Sequence, residues 1–172
     1  AGRRSINGSV GLRVPAAVTE KHSAKYLLHG RPMHLPERLN DSAYSIVALY
    51  QAEYRGLVEY YRMAYNLHTL SRVKWVAERS LVMTLANKFR VSCHEIYRRF
   101  RREVPKLHGT YKVLAVTVER GPKKRPLVAY FGGISLSRDD DAAISDLPPA
   151  IWSGRSELIQ RLLAQKCELC GS

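Results

Sequence analysis

The sequence predicts an α+β chain: an N-terminal β-hairpin and helix, then a three-helix bundle, then a small β-containing region ending in a truncated zinc knuckle. Three observations point there. Apolar side chains recur at helical spacing from Ile46 to Tyr65, residues 69–87 are apolar nearly all round, and after Pro105 the texture turns β-branched and aromatic. The expected division is residues 1–40 as hairpin, helix and linker, 41–109 as a helical domain, and 110–172 as a small β-hairpin and helix region.

Taken in order, "RRSINGSVGLRVP" reads as a hairpin about Asn7-Gly8, a pair suited to the positive φ angles of a tight turn. Pro15 suits a helix start, and the pattern continues to a stop at Gly30. "RPMHLPERLN" has two prolines and no period, so a linker or surface loop is expected. Asp41-Ser42 can cap a long helix reaching about Asn66. On it Ile46, Val47, Tyr50, Tyr54, Leu57, Val58, Tyr61 and Tyr65 share an arc of about 120°, a core-facing stripe. The opposite face carries Gln51, Arg55, Glu59, Arg62 and Asn66, and a third strip holds Leu49, Ala52, Gly56, Tyr60 and Met63. Glycine inside a helix costs about 1 kcal/mol relative to alanine, so Gly56 should mark a close approach by another helix or by a ligand backbone.

A second helix, roughly Thr69 to Asn87, shows Val73, Ala77, Leu81 and Thr84 on one side and Trp75, Val82 and Ala86 on the other. It reads as the buried centre of the bundle. Ser92 and Glu95 form a capping box for a third helix, with Cys93, Ile96, Tyr97, Phe100 and Val104 on its apolar side. Arg98, Arg99, Arg101 and Arg102 take the rest of its surface, and short connections imply an antiparallel bundle. Beyond a boundary near Gly109, "YKVLAVTVER" and "RPLVAYFGGI" read as paired strands joined by "GPKKRP". A last short helix, "SELIQRLLAQ", starts at Ser153 or Ser156 and leads to "KCELCGS".

Lysine and arginine number 28 against 15 acids, a formal charge of +13. Residues 1–40 carry 7 bases and 2 acids, 41–110 carry 12 and 6, and 111–172 carry 9 and 7. The excess thus sits in the first two-thirds and favours a polyanionic partner. No run approaches the roughly 18–20 apolar residues of a membrane span, and no signal-peptide pattern opens the chain, so no membrane partner is expected. Cys93, Cys167 and Cys170 are too few for a disulfide framework, which suits a reducing compartment, and Cys93 is expected to pack in the core. An Ala start and a stop just past a cysteine pair suggest a piece of a longer polypeptide.

Between Lys88 and Lys106 seven bases (Lys88, Arg90, Arg98, Arg99, Arg101, Arg102, Lys106) outnumber two acids. Planar, bidentate guanidinium suits phosphate, so this cluster is the expected nucleic-acid contact, with a solvated face as the plainer reading. Tyr60 is placed either to stack on an unpaired base or to pack, whereas Tyr61 lies on the core stripe. Asp139, Asp140 and Asp141 read as an exposed acidic turn rather than a metal site. No His pair, Ser/His/Asp set, P-loop or dinucleotide fingerprint is present, so no residue is expected to be catalytic. Cys167 and Cys170, separated by two residues and followed by Gly171, suit half of a tetrahedral zinc site; a redox pair would follow a strand rather than a helix.

"YQAEYRGLVEYYRMAYN" and "TLANKFRVSCHEIYRRF" resemble domain X, the maturase or thumb region of group II intron-encoded reverse transcriptases. The matching residues are Arg55, Gly56, Tyr60 and Tyr61, then Thr84, Leu85, Ala86 and Lys88; Glu59 and Phe89 stand where many members have Asn and His. "LRVPAAVTEKHSAKYLLHGRPMHLPERLNDS" resembles the stretch joining palm to thumb, and "VAYFGGISL" with "ELIQRLLAQKCELCGS" resembles the lead-in to a C-terminal HNH endonuclease. The resemblance implies a bundle that binds group II intron RNA for splicing and mobility, with Arg55 joining Tyr60 and the basic cluster as contacts. It implies a parent enzyme that is an RNA-directed DNA polymerase with maturase and HNH endonuclease activities, using Mg for both and Zn for a site completed beyond Ser172. No cofactor is expected on residues 1–172 themselves. Template–primer duplex and target DNA are implied partners of that parent, in a bacterial cytoplasm or, alternatively, a mitochondrion. Two other readings remain open at this point: a DNA-binding or endonuclease-associated piece, and a basic protein-interaction bundle.

Overall fold

The computed structural model describes residues 11–106, 109–121 and 124–139. Helix α1 (Ala16–Ala24) is followed by a two-residue hairpin, β1 (Leu27–Leu28) with β2 (Arg31–Pro32), and a 3₁₀ turn over Pro36–Arg38. Helices α2 (Ala43–Tyr60), α3 (Ser71–Phe89) and α4 (Cys93–Phe100) come next. An antiparallel sheet of order β3-β4-β5 closes the described chain, with β3 at Arg101–Lys106, β4 at Gly109–Val118 and β5 at Leu127–Gly132. The α+β class and the paired strands expected from "YKVLAVTVER" and "RPLVAYFGGI" are both present.

Helix α2 is the spine. Ser42 caps it by accepting the Ser45 N–H, and Ile46, Val47, Tyr50, Tyr54, Leu57 and Val58 are buried along one stripe. The helix ends at Tyr60, short of the expected Asn66, so Tyr61 is only half-buried and Tyr65 is exposed. Past that end, the Asn66 side chain accepts the Val14 N–H at 2.7 Å and donates to the Val14 carbonyl at 3.0 Å, tying the segment before α1 to the connection after α2. On the other side Phe131 of β5 meets Tyr50 edge-on and Tyr54 at a tilt. The Gln51 amide clamps Gly132 through both its oxygen and its nitrogen. One hydrophobic core therefore runs from the helices into Leu114, Val116, Ala129 and Phe131 of the sheet.

A buried polar hub joins α2, α3 and the 31–40 segment. The Tyr50 hydroxyl lies 2.9 Å from Ser80 Oγ and 3.2 Å from Thr84 Oγ1, and Thr84 accepts the Leu35 N–H at 3.0 Å. Beside it Arg38 is buried, stacked 4.5 Å over the Tyr50 ring and paired with Glu53 at 2.5 Å. Glu53 also receives Tyr26 and Lys25. Burial by itself would raise the Glu53 carboxyl, but these donors and the Arg38 charge outweigh it and hold the group below its usual range. Burial, reinforced by Glu53, pushes the Tyr26 phenol far up.

Several expectations are corrected. The first helix stops at Ala24, not Gly30, because His29 and Gly30 take positive φ (49° and 76°) and turn a hairpin. The 31–40 segment is no loose linker: Leu35 and Arg38 are buried in the frame. Cys93 is exposed rather than core: it opens α4, whose buried residues are Ile96 and Phe100. Trp75 is exposed, not part of a buried centre. Arg101, Arg102 and Val104 are strand residues, because backbone pairing with Leu114, Val113 and Tyr111 ends the helix at Phe100. That pairing and the shared core run across the expected boundary near Gly109, so three helices pack with a sheet rather than as a separate bundle. The hairpin expected about Asn7-Gly8 and the helix expected from Ser153 or Ser156 lie outside the described residues, and residues 11–15 form no strand.

Candidate nucleic-acid interface

The end of α3, α4 and the start of β3 together present the arginine cluster. Helix α3 closes on Arg90 in the left-handed region (φ 54°), where glycine is usual, and its N–H returns to Ala86 and Asn87. The chain re-enters helix at once because Ser92 accepts the Glu95 N–H. That tight connection sets Phe89 of α3 against Phe100 of α4, ring centroids 5.9 Å apart. The Arg99 guanidinium lies over both rings, at 5.3 Å and 5.2 Å. Its stem and plane are thus held while its edge stays exposed.

Arg98 is 72% exposed and pairs with Glu95 one turn back. Arg101 lies 5.5 Å over the Tyr97 ring, and Arg102 donates to the Arg101 carbonyl. Arg90, Arg98, Arg99, Arg101 and Arg102 are all exposed, and of these only Arg98 appears in an ion pair among the described residues. Guanidinium edges left unpaired on a rigid frame are suited to phosphate oxygens. Two expected members differ. Lys88 is half-buried and donates to the Leu39 carbonyl at 2.9 Å, which pins the loop before α2. Lys106 closes β3, its backbone opposite Gly109.

Arg55 and Tyr60 stand apart from this cluster, on the exposed side of α2. Tyr60 is 81% exposed, its ring set edge-on to Tyr61 at 4.8 Å. Arg55 faces a groove of about 730 Å³ between α2, β5 and residues 134–139, with Arg62, Tyr130 and Arg138 also on its walls. Arg62 bridges Glu59 and Asp139, and Arg138 stacks 3.8 Å over Tyr65. Asp139, expected in a plain acidic turn, therefore helps fix this wall, while Asp140 and Asp141 lie outside the described residues. Apart from its chain neighbours and the backbone of α2 itself, no described atom comes within 4 Å of the position a Gly56 Cβ would take, so no helix of the described chain makes the expected close approach.

Among the described residues no group of three or more His, Cys, Asp or Glu side chains could hold a metal ion, and no helix is long and apolar enough to cross a membrane. Cys167 and Cys170 lie outside the described residues. The sequence reading missed Trp75 with Arg79, Lys74 and Lys112, which cluster near Tyr97 and Arg101. The spacing of Trp75 and Arg79, four apart on a helix, was the available signal.

Comparison with known proteins decides the family. The type II intron maturase family matches residues 12–128, more than half of the chain. The chain belongs to that family. It is also 25% identical, over 186 aligned positions covering 99% of it, to the group II intron-encoded protein LtrA of Lactococcus lactis subsp. cremoris. The LtrA protein of strain MG1363 of the same subspecies matches equally. The chain spans 29% of the length of these curated relatives. The maturase match runs from the segment pinned by Asn66 through α4 into β5, so it covers both the arginine cluster and the Arg55–Tyr60 face.

Proposed function

We propose that this chain is the RNA-binding maturase part of a group II intron reverse transcriptase, holding folded intron RNA to promote splicing and mobility. The observation that carries the reading is the set of exposed arginines, Arg90, Arg98, Arg99, Arg101 and Arg102, left largely without carboxylate partners in a chain of the maturase family. Contacts run mainly to phosphates and sugars, with selectivity from RNA shape, as the groove geometry of A-form RNA favours. Arg55 and Tyr60 supply a second contact face, and Gly56 lets an RNA backbone lie close to α2. Lys88 contributes by fixing the loop before α2.

In the longer protein the same region serves as the polymerase thumb on a template–primer duplex. Residues beyond 139 lead into an HNH endonuclease acting on target DNA, with Cys167 and Cys170 supplying half of a zinc site and Mg serving both enzyme activities. The compartment is a bacterial cytoplasm, with the mitochondrion as the alternative.

The test is RNA affinity against salt. Each phosphate neutralised contributes on the order of 0.7–0.9 to the slope of log K against log salt. Replacing Arg98, Arg99, Arg101 and Arg102 by Gln should flatten that slope by up to about three. An unchanged slope, or no binding to a group II intron transcript at low salt, favours a protein-interaction bundle instead.

A further inference from the structure

Helix α3 exposes an aromatic residue where a buried helix would not. Trp75 is 54% exposed, and Arg79, one turn along, lies 5.8 Å over its ring. Across a shallow cavity of about 270 Å³ stands Tyr97 of α4, with Arg101 over it. A second cavity of about 210 Å³ shares Glu78 and Arg101 with the first and is walled by Lys74 and Lys112. In strand register Arg101 lies opposite Leu114, and Lys112 lies two residues from Leu114 on β4, so both point to the face of the sheet that meets the helices.

We infer that this corner binds an unpaired nucleotide of single-stranded RNA, the base stacking on Trp75 and the flanking phosphates meeting Arg79, Arg101, Lys74 and Lys112. The inference rests on the RNA-binding reading above and adds a site that α4's outward arginines do not form. Three features favour RNA over another occupant. Four cations surround the cavities and only one carboxylate, Glu78, lines them. That carboxylate is engaged by the Tyr97 hydroxyl at 3.4 Å, and none of the four cations forms an ion pair among the described residues. A part-open indole among cations is the arrangement that holds unpaired bases without regard to sequence, because every base offers a π face. A duplex keeps its bases stacked inside and gains only the phosphate contacts.

Trp75 and Trp152 are the two tryptophans of the chain, so Trp152→Phe leaves Trp75 as the single indole reporter. Titrating that protein at low salt with an oligoadenylate eight-mer, and with RNA duplex at equal phosphate, should quench Trp75 strongly with the single strand and weakly with the duplex. Trp75→Ala should weaken single-strand affinity about tenfold, and Trp75→Phe should restore most of it. Replacing Arg98 and Arg99 by Gln should leave the quench in place while weakening intron RNA binding, so the two readings fail separately. Unchanged Trp75 emission, or wild-type single-strand affinity in a folded Trp75→Ala protein, would overturn the inference.

Discussion

Glu53→Gln isolates the network that fastens the 31–40 segment to α2. The substitution keeps the side chain's shape but leaves the Arg38 guanidinium, 9% exposed, without its carboxylate. Breaking a fully buried ion pair costs about 3–5 kcal/mol. Glu53 is 33% exposed, so water can reach it, and Lys25 relaxes freely into solvent. The expected loss is therefore about 2 kcal/mol, below the fully buried range. At about 2–4 °C per kcal/mol for a chain of this size, the melting point should fall by about 4–8 °C at neutral pH.

The same carboxyl gives a pH signature. Its folded-state pKa lies below the ordinary 4.5, so its stabilisation is complete above that value. It is lost as pH falls further, through the depressed folded value. Wild type should therefore progressively lose its advantage over Glu53→Gln as the pH falls below about 4.5. Arg38→Met combined with Glu53→Gln should cost less than the two changes summed. Thermal melts by circular dichroism read all three. A Glu53→Gln melting point within about 1 °C of wild type, or a difference that persists at low pH, would refute the account of this network.

Two further substitutions probe other parts of the frame. Gly56→Ala has open space for its methyl group, so urea unfolding should show a gain of about 1 kcal/mol while filter binding shows weaker intron RNA affinity. Thr84→Val removes the acceptor of the buried Leu35 N–H and should lower urea stability by about 1–3 kcal/mol.

The α2 stripe was legible because an 18-residue helix repeats its period often enough to define one face, and six of the eight expected residues are buried. The arginine cluster was legible as composition. Its scaffold was not, because Val104 falls in helical register with Phe100 while the strand partner that captures it, Tyr111, lies further along the chain. Side-chain type misplaced Trp75 and Cys93, since an apolar residue on a helix carries no label for which flank a neighbour covers. Nothing local announced Arg38: its burial depends on Tyr50 and Glu53, which only the folded chain brings alongside. His29 hid the hairpin because a non-glycine left-handed residue has a weak sequence signature.

Among the described residues β3 is an outer strand, hydrogen-bonded on one side to β4. Its free rim of amide and carbonyl groups could recruit a strand from another molecule, and Arg101, Arg102, Glu103 and Pro105 are the residue types that discourage such adhesion. Those two arginines thus guard solubility as well as offering charge to RNA. Swapping them for valine or threonine would risk self-association that mimics lost RNA affinity. Glutamine, being polar and a poor strand former, separates the two effects.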